Sequence, residues 1–276
     1  MRSPRTALAT ITALLLLPGL AGAQWLNYPT PGTPRLPDGK PNLLAPAPRT
    51  SDGRPDLSGI WSVGNLDYFQ DLAKGLKPGD IQLTPWAAAV RKQRLDRDHV
   101  DDPYGYCLPL GVPRIDMRSE FKIVQTPLLT AFLHETYVGM TFRQVFTDGR
   151  PMLKASDNEP TWLGYSVGRW DGDTFVVDTT GFRDGGWLSA REAYPNSDAL
   201  HVIERFRRTD FGHMDLTVTI DDPKAYVKPW TNRIPLRFQP DTELLEAFCD
   251  NQPALVQHWV TEPPPAEPPS PRGGDR

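Results

Sequence analysis

Residues that ligate metals are scarce in this chain, with five histidines and two cysteines among 276 residues. His99, His134, His201, His213 and His258 are scattered, with no HxH, HExxH or paired-cysteine spacing, so no metal site is expected. Asp221-Asp222 stands beside Pro223 and reads as a loop cap rather than a calcium site. There is no G-x-S-x-G, no P-loop and no G-x-G-x-x-G after a strand, so no cofactor is expected. Basic runs are missing too. The formal net charge is −4, and loss of Arg2 and Arg5 with a leader would make it −6, which argues against nucleic acid as a partner. Past the N-terminal stretch, no run approaches the ~20 apolar residues that cross a bilayer, so no membrane span is expected.

What the sequence does have begins at the N-terminus. Arg2 and Arg5 precede an apolar run, Ala7–Leu20, and Ala21-Gly22-Ala23 is a small-x-small cleavage site. Together they read as a secretory signal peptide over 1–23, with export to the periplasm or beyond. In an oxidising compartment Cys107 and Cys249 read first as one disulfide, with a nucleophilic thiol as the alternative. Such a bridge would close a loop of about 140 residues, worth on the order of 4–5 kcal/mol in the chain-entropy picture.

Thirty prolines are about twice the usual ~5%, and they gather at the two ends. Residues 24–57 form a Pro-rich lead with an internal echo, Asp38-Gly-Lys-Pro-Asn-Leu43 and Asp52-Gly-Arg-Pro-Asp-Leu57. Asp-Gly and Lys/Arg-Pro favour turns and extended chain, so the lead is either a strap across the domain or a linker. The tail 262–276, EPPPAEPPSPRGGDR, is expected to be disordered. The domain between them, 58–261, holds one helix signal: Thr84 as N-cap, Pro85 at the first helical position, and a run to about Arg97.

Nearly everything else reads as strand, at 58–64, 121–126, 129–135, 140–147, 162–170, 173–180, 200–208, 213–220, 233–239 and 243–249. These segments are rich in Val, Ile, Phe and Thr and bounded by turn residues. The expected fold is all-β, an antiparallel up-and-down barrel of about ten strands with one helix inserted near 85–97. Connections alternate in length. Short ones follow 129–135, 162–170 and 200–208, and long ones follow 140–147, 173–180 and 213–220. In a meander that alternation puts the long loops 148–161, 181–199 and 221–232 at one end, around an open cup.

Gly59-Ile-Trp61, opening the first strand of such a meander, resembles the start of lipocalins and the wider calycin barrels, in which the tryptophan closes the narrow end. A second resemblance spans most of the chain. A family of secreted bacterial proteins carries a proline-rich lead, a PDLSGxW start, a DGR segment and a GRWxGDTxVVDTxGF hairpin. Here these are Pro55–Trp61, Asp148-Gly149-Arg150 and Gly168–Phe182. The first resemblance implies a calycin-like barrel over about 58–249, and the second carries no activity with it.

In that hairpin an Asp171-Gly172 turn sets Tyr165 against Asp178, a carboxylate whose neighbours on that face are Val176 and Val167. Asp178 and Tyr165 then lie near the mouth, where His201 begins the next strand, and the three suit general acid–base work. The structural alternative is that Asp178 faces solvent on the outer sheet. His134 and Glu135 are expected at the closed end, with Glu135 paired to Arg143, and one of Glu204 and Arg205 should point inward into a salt bridge. Trp162, Trp187, Arg150, Tyr226 and Trp230 around the mouth suit a planar, carboxylated or sugar-like ligand; Trp187 and Trp230 could equally anchor their loops. Three functions fit: a barrel binding a small, partly apolar molecule in its cup, a cofactor-independent isomerase, lyase or hydrolase using Asp178 and His201, or a non-catalytic cell-surface interaction module.

Overall fold

The computed structural model describes residues 28–64, 66–136, 142–153 and 159–246. The leader at 1–23, Cys249 of the expected disulfide and the Pro-rich tail lie outside the described residues. Nine strands close into one barrel in sequence order: β1 (Gly59–Ser62), β2 (Phe121–Gln125), β3 (Leu129–His134), β4 (Phe142–Phe146), β5 (Tyr165–Asp171), β6 (Thr174–Thr180), β7 (His201–Arg208), β8 (His213–Asp221) and β9 (Trp230–Phe238). A short helix, α1 (Asp67–Gln70), and a longer one, α2 (Pro85–Asp96), lie between β1 and β2. The Thr84 hydroxyl accepts from the Ala87 amide, and Pro85 takes the first helical position, where no partner for its nitrogen is needed.

Of the expected tenth strand, 243–249, the described part is not a strand, and 247–249 lie outside the described residues. Residues 242–246 have no regular structure, and Glu135 Oε2 accepts from the Leu245 amide. Nine strands in a ring cannot all alternate in direction, so an odd number of parallel neighbours is forced. Here β4 and β5 are parallel and the other pairs antiparallel. The connection 147–164 therefore leaves β4 at one end and enters β5 at the other. This corrects the expected placement of loops. The β3–β4 connection, with His134 and Glu135 at its start, lies at the end shared by loops 181–200 and 222–229, not with the tight turns.

The hairpin register also differs by one residue. Gly172 and Asp173 are the central pair, Gly172 at φ +57, and Asp178 stands opposite Val167 while Tyr165 faces Thr180. Glycine at the first central position, with positive φ, matches the right-handed strand twist as a type II′ turn does.

Inward side chains alternate along every strand and fill the lumen. Phe121, Phe132, Val145, Phe175, Val177, Phe206, Leu216 and Ile234 belong to one buried cluster. At the tight-turn end Trp61 closes the barrel. The Arg208 guanidinium lies 4.9 Å from its ring, 5.0 Å from Phe211 and 5.4 Å from Phe238. This floor is compatible with a calycin-like barrel.

The two echoes in the lead fold into the same small turn. Leu36 N bonds Lys40 O and Asn42 N bonds Pro34 O; in the second copy Thr50 N bonds Arg54 O and Asp56 N bonds Pro48 O. Each copy then reaches the barrel through its arginine, Arg35 to Asp241 and Arg49 to Asp173. Between them the amides of Phe211 and Gly212 donate to the carbonyls of Ala45 and Leu43. The lead is a strap docked under the closed end.

Candidate functional site

The loop end is covered as well. The 63–120 connection folds over it, with Leu72 N on Ser189 Oγ (2.9 Å), Ala190 N on Phe69 O (2.9 Å) and Asn232 Nδ2 on Leu72 O (2.7 Å). Trp187, Tyr226 and Trp230 serve this cover and are 2%, 2% and 3% exposed. Arg94 lies 4.6 Å over Trp187, and the Tyr226 hydroxyl donates to Pro195 O at 2.8 Å. These three aromatics anchor loops, and the mouth expected above them is occupied by chain.

Beneath that cover the barrel core turns polar. Alternation points His134 of β3, Arg143 of β4, Ser166 of β5, Thr179 of β6 and Glu204 of β7 inward. Asp116, from the short helical turn Arg114–Met117, joins them from above. His134 Nε2 lies 2.6 Å from Asp116 Oδ1. Arg143 donates Nε to Ser166 Oγ at 3.1 Å and Nη2 to Thr179 Oγ1 at 2.7 Å and to Glu204. Glu135 does not pair with Arg143; the partner is Glu204, reached across the lumen rather than from a neighbouring strand.

Burial pushes the Glu204 carboxyl up to about 7, against the pull of Arg143, and the nearby Asp116 charge adds to the rise. Burial acts on Asp116 in the same direction, but its hydrogen bond to His134 and the charges of His134 and Arg143 outweigh it, so Asp116 sits below its ordinary value. Asp116 Oδ2 and Glu204 Oε1 have no donor among the described residues. Opposite shifts in two neighbouring carboxyls favour one proton shared between them, and Glu204, the raised group, holds it more readily than Asp116.

A cleft of about 470 Å³ opens in the wall beside this cluster, lined by Phe142, Arg143, Phe146, Trp162, Tyr165 and Ser166 among others. Its origin is topological. Parallel β4 and β5 share two register pairs, Val145–Ser166 and Phe146–Val167, where β7 and β8 share eight. The chain just before β5 is held to the far side instead: Thr161 N bonds Gly181 O and Arg183 N bonds Thr161 O. Gly164, at φ +67, allows that approach, since a Cβ there would stand 2.7 Å from Thr180 O. The seam consequently stays open on the β4 side.

Of the residues singled out in the sequence, Trp162 and Tyr165 line the cleft, and Arg150 lies 3.9 Å over the Phe146 ring at its edge. Asp178 and His201 are brought together, Oδ1 to Nε2 at 2.9 Å, but on the outer face, where Arg169 also pairs with Asp178. Tyr165 lies two strand positions from the residue facing Asp178. A second, polar cavity of about 510 Å³ lies among Ser62, Arg118, Glu120, Glu135 and Gln239. Sequence reasoning missed Asp116, Ser166, Thr179, Phe142, Phe146 and Arg183. Strand parity was the usable signal for the inward set, since Ser166 and Thr179 alternate with outward Val167 and Asp178.

No family model, curated protein or solved structure matches the chain.

Proposed function

We propose that the chain is an exported barrel protein that binds a small, planar, partly apolar molecule in the β4–β5 seam cleft. The cleft itself carries this reading. Its volume, about 470 Å³, falls within the ~300–1,000 Å³ of small-molecule sites, and its walls are mainly aromatic and aliphatic with a few polar groups at the base. The filled lumen and covered loop end favour this side opening over a central cup. Export is supported by the basic, apolar and small-x-small segments of residues 1–23, and protein recovered outside the cytoplasm should begin at Gln24 by intact mass.

Titration with N-phenyl-1-naphthylamine, a neutral dye that brightens in apolar surroundings, tests the cleft. Saturable enhancement is expected with the wild type, and loss of it with Trp162→Ala and with Phe146→Ala. No enhancement, or enhancement indifferent to both changes, contradicts the reading.

A second reading is acid–base catalysis by Asp178 and His201 with Tyr165 nearby, supported by the 2.9 Å bond between the first two. Its mark would be conversion of a bound compound, seen by mass spectrometry, that disappears in a folded Asp178→Asn variant.

A further inference from the structure

We infer that the seam cleft takes a neutral aromatic lactam, a fused ring whose N–H and C=O share one edge, and holds that edge on the unpaired backbone of β4. The inference rests on the cleft being the binding site and names the chemistry it selects. Among the residues lining the cleft there is no carboxylate. The one cation, Arg143, is turned into the lumen, 2% exposed and bonded to Ser166, Thr179 and Glu204. A charged ligand would find no counter-ion there.

Directional contacts come from the strand instead. Successive residues of a strand turn their N–H and C=O to opposite sides. The Thr147 amide donates to the carbonyl of Leu128, its opposite across the β3–β4 pair. Val145 and Arg143 therefore also bond β3, while Phe146, Gln144 and Phe142 present their backbone to the seam. On the other side, the two-residue turn after Asp171 sets Asp171, Arg169, Val167 and Tyr165 to bond β6, which leaves Ser166 to bond β4. The register Val145–Ser166 and Phe146–Val167 then joins Ser166 N–H to Gln144 C=O, and Ser166 C=O to Phe146 N–H.

There the pairing stops. The next step of the same ladder, Phe142 C=O and Gln144 N–H, has no partner among the described residues. The chain ahead of Tyr165 is tied to Gly181 and Arg183 instead, on the side away from β4. Ser166 shows what fits such a step: one N–H and one C=O side by side, pointing the same way. A lactam carries that pair on a rigid ring, and Phe142, Phe146, Trp162 and Tyr165 supply apolar walls for the rest of it. An amide taken out of water costs free energy unless both its groups are paired, so these two bonds decide whether a lactam binds.

Calorimetry with a matched neutral pair, quinolin-2(1H)-one and coumarin, tests this on the full folded chain. The two share shape and carbonyl, but coumarin has a ring oxygen where the lactam has N–H, and that oxygen would face Phe142 C=O. The lactam should bind about tenfold tighter or more. Gln144→Ala removes a side chain that lines the cleft but keeps the backbone N–H, and the preference should survive it. Gln144→Pro removes that N–H without breaking a ladder bond, as proline does on an open strand edge, and should weaken both probes severalfold. Where proline impairs folding, the wild type and Gln144→Ala still decide. Equal affinity for the two probes, or a preference lost in Gln144→Ala, overturns the backbone assignment, as does a folded Gln144→Pro protein that binds both unchanged. If the naphthylamine dye binds and the lactam does not, the lactam falls and the cleft stands. If neither dye nor probes bind, the cleft reading falls with it.

Discussion

Replacing Glu204 by glutamine should remove much of the pH dependence of this barrel's folding stability. Glu204 is fully buried, and its carboxyl rises from an ordinary 4.5 to about 7 in the fold. A carboxyl whose folded pKa exceeds its unfolded one binds more protons when folded. Its stabilising contribution is thus complete below the unfolded value and is lost as pH rises through the folded one. Between about pH 5 and about pH 8 the linkage integral for such a shift is on the order of 2–3 kcal/mol of lost stability. For a domain of this size that is on the order of 5–10 °C in Tm. Glutamine has the same shape, accepts from Arg143 through its oxygen and donates to Asp116 through its amide. It imitates the protonated carboxyl at every pH. Thermal or urea unfolding of the two proteins at several pH values reads the difference: the wild type should fall relative to Glu204→Gln as pH rises, with the curves converging near pH 5. Parallel curves would refute the shared proton, as would a Glu204→Gln protein that loses stability more steeply.

Three further changes probe other parts of the structure. Arg208→Ala removes a buried guanidinium that stacks on Trp61, Phe211 and Phe238 and donates to the carbonyls of Asp56, Asp210 and Phe211. It should cost about 3–5 kcal/mol in a urea titration, because orphaned acceptors and lost packing add. Gly212→Val should free the strap, since even a Cβ there would lie 2.5 Å from that of Leu43; limited proteolysis between 28 and 57 is expected to speed up while the barrel survives. Arg49→Ala, which breaks an exposed pair with Asp173, should leave the thermal unfolding midpoint nearly unchanged.

The elements were legible because their signals are local. Thr84-Pro85 marks the start of α2, and the alternation TFVVDTT marks β6 with Phe175, Val177 and Thr179 on one face. The direction of β5 was not, because nothing within YSVGRWD distinguishes a parallel from an antiparallel neighbour. One flipped strand moved His134 to the loop end and opened the seam. The hairpin turn lies one position beyond the expected one because Asp171-Gly172 and Gly172-Asp173 both offer a glycine for positive φ, and the second wins. The site is harder still. Asp116, His134, Arg143 and Glu204 come from four separated elements and meet only when the ring closes, so no spacing announces them. Trp187 and Trp230 signal a rim by composition alone, yet their rings are spent on holding the loops over the barrel.

A ligand of this barrel should lie in the wall, at the seam, and not in the lumen. A crystal of the protein grown with 6-bromoquinolin-2(1H)-one and measured at the bromine edge locates the ligand directly. One anomalous peak is expected between Phe142, Phe146 and Trp162, in van der Waals contact at ~4 Å from their rings. A peak inside the barrel, or beside Asp178 and His201 on the outer face, would contradict it.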